Sequence, residues 1–82
     1  MSEAQREWAD YAKRYLKAEL KKADVNYAEL AKRLSGIGLS ETEGSITVKI
    51  NRGAFPAWFL FAVMRVIGAE VLHMQNWPKI HD

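Results

Sequence analysis

Asn26-Tyr27-Ala28-Glu29-Leu30-Ala31-Lys32-Arg33-Leu34, a turn from Ser35 to Ser40, and Ser45-Ile46-Thr47-Val48-Lys49-Ile50-Asn51-Arg52-Gly53 together decide how this chain folds. Asn26 is a good helix N-cap, and Glu29 stands three residues on, an Asn-led version of the capping box. Tyr27, Leu30, Ala31 and Leu34 then repeat at helical spacing, which predicts a short helix over 27–34 with one buried face. Ala31 is small where two helices must approach closely. The turn carries two glycines, and Gly36 or Gly38 can provide a left-handed C-cap. Ile37 and Leu39 are expected to plug into the core. Ser40 or Thr42 can cap a third helix over 42–52, with Glu43 at its positive end. Ile46 and Ile50 are its only clear core anchors, and Arg52-Gly53 ends it.

Outward from this centre, Trp8, Tyr11, Ala12, Tyr15, Leu16, Leu20 and Ala23 form one apolar stripe, predicting a long first helix over 5–23. On its outer side Asp10 and Arg14 are spaced to pair. Downstream, Pro56 opens a fourth helix that runs to Ile67 and stops at Gly68. Leu60, Val63, Met64 and Ile67 make its core stripe. A short fifth helix is expected near 70–75, followed by an extended tail from Pro78. The result is an all-α, compact bundle of four to five helices in a single domain over 1–82, with its core at 5–75 and a tail at 76–82.

Composition narrows the function classes. The 82 residues are 49% hydrophobic and 11% aromatic, enough for one economical core. There is no cysteine, so neither a disulfide framework nor a thiolate zinc site is available. No apolar run approaches the roughly 20 residues of a membrane span, and the polar, acidic start is unlike a signal peptide. A cytoplasmic protein is the expectation. The net charge is only +2, but Lys13, Arg14, Lys17, Lys21, Lys22, Lys32 and Arg33 fall in the first 33 residues. These read either as one basic side or as a solvated surface paired with Asp10, Glu19 and Glu29.

Two short helices joined by a turn and braced by flanking helices can offer the second one to the DNA major groove. Residues 26–34, with their Leu-Ala pair and Leu34, resemble the first helix of phage-repressor-type helix-turn-helix domains. Ser45 to Gly53 resembles their recognition helix and its glycine stop, and Pro56 to Gly68 resembles the helix that follows. The likeness covers about Leu16 to Leu72. Two features depart from that pattern. The turn is longer by about five residues, and Ile46 and Ile50 are spaced by four where three is usual. The stretch from Trp8 to Gly68 is also similar to a small bacterial domain family of unknown function. That family shares Trp-Ala-Asp-Tyr-Ala-Lys-Arg-Tyr-Leu-Lys, here Trp8 to Lys17, and Arg-Gly, here Arg52-Gly53.

The helix-turn-helix likeness implies double-stranded DNA as partner. With Ile46 and Ile50 inward, about 100° per residue turns Val48 outward. An outward valine suits a thymine methyl; Asn51 and Arg52 suit bases or phosphates, and Ser45 and Thr47 can bond either. Lys32, Arg33, Lys49 and Arg52 are candidates for phosphate neutralisation. Tyr27 stands where the repressor pattern has a phosphate-contacting glutamine; on the stripe with Leu30 it reads as a core tyrosine.

The fourth helix offers a rival surface. It is apolar almost all round, so Trp58, Phe61 and Arg65 fall on an outer stripe, with Met74 and Trp77 following. Exposed aromatics of this kind mark interfaces, and an isologous homodimer is the simplest. Alternatively the tail folds back over the stripe. Enzymatic chemistry has little to stand on. His73 and His81 are the only histidines and lack metal-ligand spacing, and Gly36-Ile37-Gly38 lacks the strand context of a phosphate loop. No cofactor is implied. Two functions follow: a DNA-binding regulator, or a protein-interaction module of antitoxin or antiactivator kind that uses the aromatic surface without DNA.

Overall fold

A computed structural model describes residues 1–80; His81 and the last residue of the expected 76–82 tail lie outside the described residues. Four helices make up the fold: α1 (Glu3–Ala23), α2 (Tyr27–Gly36), α3 (Glu43–Arg52) and α4 (Ala57–Val66). No strand occurs among the described residues. Among the described residues no helix is long and apolar enough to cross a membrane.

The starts and stops have local causes. Ser2 and Gln5 form a reciprocal capping box that begins α1 two residues before the apolar stripe suggests. Asp24, left-handed at φ 57°, ends it by donating its N–H to the Leu20 and Lys21 carbonyls. Asn26 caps α2 as its side chain accepts from the Glu29 N–H at 2.8 Å. Of the two turn glycines, Gly36 is the last helical residue and Gly38 takes the left-handed conformation, at φ 89°. Thr42 caps α3 in a second capping box, with Ser45 in the returning role. Pro56 is the N-cap of α4 rather than its first helical residue.

The core draws on every helix. Leu16 and Leu20 of α1, Leu30 and Leu34 of α2, Ile46 and Ile50 of α3, and Phe59, Val63 and Met64 of α4 are buried together. α3 packs on both α1 and α2, and α2 also packs on α4. Burying a large aliphatic or aromatic side chain contributes about 1.5–3 kcal/mol, so this cluster dominates the stability.

Several expectations need correction. Phe59, not Leu60, joins Val63 among the fully buried side chains of α4; Leu60 is only partly buried. Val63 and Met64 are buried as the stripe predicts, and Ile67 is partly buried against the core. Val25, in the α1–α2 turn, is also core. Ile37 does not plug in: it is half-exposed, and only Leu39 packs against the core from that turn. The largest correction concerns 70–75, which is not helical. After Gly68, left-handed at φ 78°, the chain runs back along α1 as an irregular strap. Tyrosine hydroxyls of α1 take up strap backbone groups that a helix would need. The His73 N–H donates to the Tyr15 hydroxyl at 2.9 Å, and the Tyr11 hydroxyl donates to the Gln75 carbonyl at 2.7 Å.

Candidate nucleic-acid interface and its neighbouring surfaces

α3 is anchored by Ile46 and Ile50, both with no exposed surface, so its opposite side must face outward. Val48, 50% exposed, lies at the middle of that side. Asn51 and Arg52 are exposed beside it, as is Gly44 one turn earlier. Gly53 fixes the end of the helix. It is left-handed at φ 62°, and a Cβ there would collide with the backbone carbonyl of Ala9. The end of α3 therefore sits directly on the α1 backbone.

Ser45, Thr47 and Lys49 of α3 have work inside the fold. Ser45 closes the capping box and donates to Glu41 at 2.7 Å. Thr47 donates its hydroxyl to the Glu43 carbonyl one turn back. Lys49 is paired with Glu41, whose side chain is only 6% exposed, and its ammonium lies over the rings of Trp58 and Phe59 at 5.9 and 5.3 Å. Burial pushes the Glu41 carboxyl upward, but hydrogen bonds from Lys49 and Ser45, with the Lys49 charge, outweigh it and leave the group below its ordinary value. The outward face of α3 is thus narrower and less basic than spacing implies: Val48, Asn51 and Arg52 rather than the full set.

At the start of α2, Tyr27 is half-buried against the core, and burial pushes its phenol upward, so it remains a donor. It lines a shallow groove with Lys17, Lys21, Asn26 and Glu43. Lys17 and Lys21 thereby stand beside the starts of α2 and α3, a placement visible only once α1 is seen to pass there. Lys32 is exposed. Arg33 is committed elsewhere: it pairs with Glu29 at 2.9 Å and donates to the Val66 carbonyl at 3.1 Å, tying α2 to the end of α4.

On α4, Trp58 and Phe61 are 51% and 59% exposed, and Arg65 continues the same stripe. The strap does not cover them; it docks along α1. There Trp77 stacks on Tyr11 at 5.6 Å and 3° and tilts against Trp8 at 5.7 Å, while its indole N–H closes onto the Met74 carbonyl. Met74 itself is exposed. The five aromatic-surface residues therefore divide into an α4 stripe and a strap that belongs with α1.

Residues 8–72 match a domain of unknown function, DUF6471, and the chain belongs to that family. The matched span starts at Trp8, where the shared Trp-Ala-Asp-Tyr run begins, and ends in the strap. No curated protein and no solved structure matches the chain.

Proposed function

We propose that this member of the family is a small cytoplasmic DNA-binding regulator with a helix-turn-helix scaffold, which seats α3 in the major groove of double-stranded DNA as a homodimer. The observation that carries the reading is Val48. It stands half-exposed in the middle of α3, flanked by Asn51 and Arg52, on a helix whose two other apolar residues are completely hidden. A solvent-facing valine between two side chains able to bond bases or phosphates is the chemistry that reads a thymine-containing edge. Lys17, Lys21 and Lys32, with the Tyr27 hydroxyl and the N-terminus of α2, supply phosphate contacts on either side. Arg33, Ser45, Thr47 and Lys49 support the face by holding its backbone. Trp58, Phe61 and Arg65 form the dimer contact, which pairs two copies of α3 at about one DNA turn, roughly 34 Å.

Fluorescence anisotropy of a labelled random duplex, at about 50 and about 200 mM salt, tests the proposal. Binding that weakens at least about tenfold across that range is expected. Absent binding at low salt, or binding without a salt slope, would sink it. Arg52→Ala is expected to weaken binding by about tenfold while the helical signal and melting temperature hold.

A second reading is favoured by the exposure of Trp58 and Phe61, which the strap leaves uncovered. On that reading the domain is a protein-interaction module and the aromatic stripe is its contact. Sedimentation of the wild type against Trp58→Ala separates the two. A salt-independent monomer–partner contact with no duplex affinity supports the module; a dimer broken by Trp58→Ala, with duplex affinity falling in step, supports the regulator.

A further inference from the structure

A groove of about 550 Å³ opens between α1 and the strap. Its size falls within the roughly 300–1,000 Å³ of small-molecule sites. Tyr11 and Tyr15 form an aromatic floor, their rings 6.4 Å apart and inclined by only 25°. His73 of the strap lines the opposite wall. Three charged side chains complete the lining: Arg14, Glu19 and Lys22.

The charge balance of this lining decides what it can hold. Glu19 is buried, and its carboxylate is already taken by Lys22 at 3.0 Å. Arg14 pairs with Asp10 at 3.0 Å, and Asp10 lies outside the groove. A guanidinium has five donors and an ammonium three, so both cations keep donors after these pairings. Glu19 is the one carboxylate in the lining, so two cations face the groove against a single anion. The groove therefore presents aromatic faces and surplus cationic donors.

We infer that this groove binds a small planar aromatic carboxylate, its ring against Tyr11 and Tyr15 and its carboxylate on Arg14 and Lys22. The strap forms one wall through the His73–Tyr15 and Tyr11–Gln75 hydrogen bonds, so an occupied groove and a docked strap favour each other. This site is separate from the α3 face, and its existence does not depend on DNA binding.

The test uses the full chain, labelled with ¹⁵N and titrated with sodium benzoate and sodium indole-3-acetate, with benzamide as the uncharged control. Saturable shifts are expected at the amides of Tyr15, Ala18, His73 and Asn76, with benzamide binding at least about fivefold more weakly than benzoate. Arg14→Ala, an exposed change that leaves the core untouched, should weaken both carboxylates by about fivefold. Tyr15→Phe keeps the ring but releases the strap, and is expected to weaken them by about threefold and to speed hydrogen exchange at His73. Diffuse, unsaturated shifts up to about 10 mM of both carboxylates would overturn the proposal. So would benzamide binding as tightly as benzoate, or full affinity in Arg14→Ala.

Discussion

The end of α3 and the C-terminal strap both rest on α1, and they are held there by opposite means. α3 arrives with two completely buried isoleucines and a glycine pressed onto the Ala9 backbone. Among the described residues the strap has no core residue of that kind; Leu72 and Ala69 are its partly buried apolar side chains packed on the core. It depends instead on two tyrosine hydroxyls and one stacked indole. Apolar burial is non-directional and cumulative, whereas each hydroxyl contact nets only about 0.5–1.5 kcal/mol. The contrast predicts one cooperative unit of four helices and a strap that opens separately, at lower cost.

The most damaging way to test this is Phe59→Ala. Removing the largest fully buried side chain should cost about 3–5 kcal/mol, and urea melts should show all helices lost together. If α4 alone unfolded, the single-unit picture would fail. Gly53→Ala comes next, at about 3 kcal/mol, because it adds a left-handed alanine and a collision with the Ala9 carbonyl. Its damage should be confined to the α1–α3 seam, and wild-type stability would show that the two backbones can separate freely.

Glu41→Gln follows, at about 2 kcal/mol, since it leaves Lys49 over two aromatic rings without its partner. The sign of the pH effect is fixed by the lowered Glu41 carboxyl. A folded-state value below the unfolded one gives stability that is complete above the ordinary 4.5 and is lost as the pH falls through the lowered value. Melting temperature measured from neutral to acid pH should therefore drop less steeply in Glu41→Gln than in the wild type. The smallest effect belongs to Tyr11→Phe. Losing the hydrogen bond to the Gln75 carbonyl should cost under about 1.5 kcal/mol and speed amide exchange in the strap, with the helices unchanged. A global loss of stability there would erase the distinction between strap and core.

The same contrast explains what could be read beforehand. All four helices announce themselves through caps and a period of 3.6: Asn26, Thr42, Pro56 and Gly53 stand at or beside the boundaries found. The resemblance to a domain family of unknown function was legible on separate grounds, in the shared run from Trp8. The strap was not, because its partners lie 58 and 64 positions away, and Val71, Leu72 and Met74 look locally like one more helical turn. Phe59 was absent from the expected core stripe because α4 is apolar on nearly every side, so its period does not single out every inward residue. At the candidate DNA face, Val48 was correctly turned outward by the two isoleucines. The Glu41–Lys49 pair was hidden because it joins a loop residue to a helix residue eight positions on, a spacing with no fixed geometry until the cap at Thr42 is in place. Arg33 stays exposed, but one of its donors is held by a carbonyl 33 positions distant.

The hydrogen bond between Tyr11 and Gln75 also sets an order in time. A chain made from its first residue onward at about 5–20 residues per second leaves Tyr11 waiting on the order of ten seconds for a partner 64 positions behind it. Through that interval Trp8, Tyr11 and Tyr15 line an open aromatic face on a newborn helix. The strap thus reaches α1 late, and its Trp77 then packs on rings that were left open until that moment.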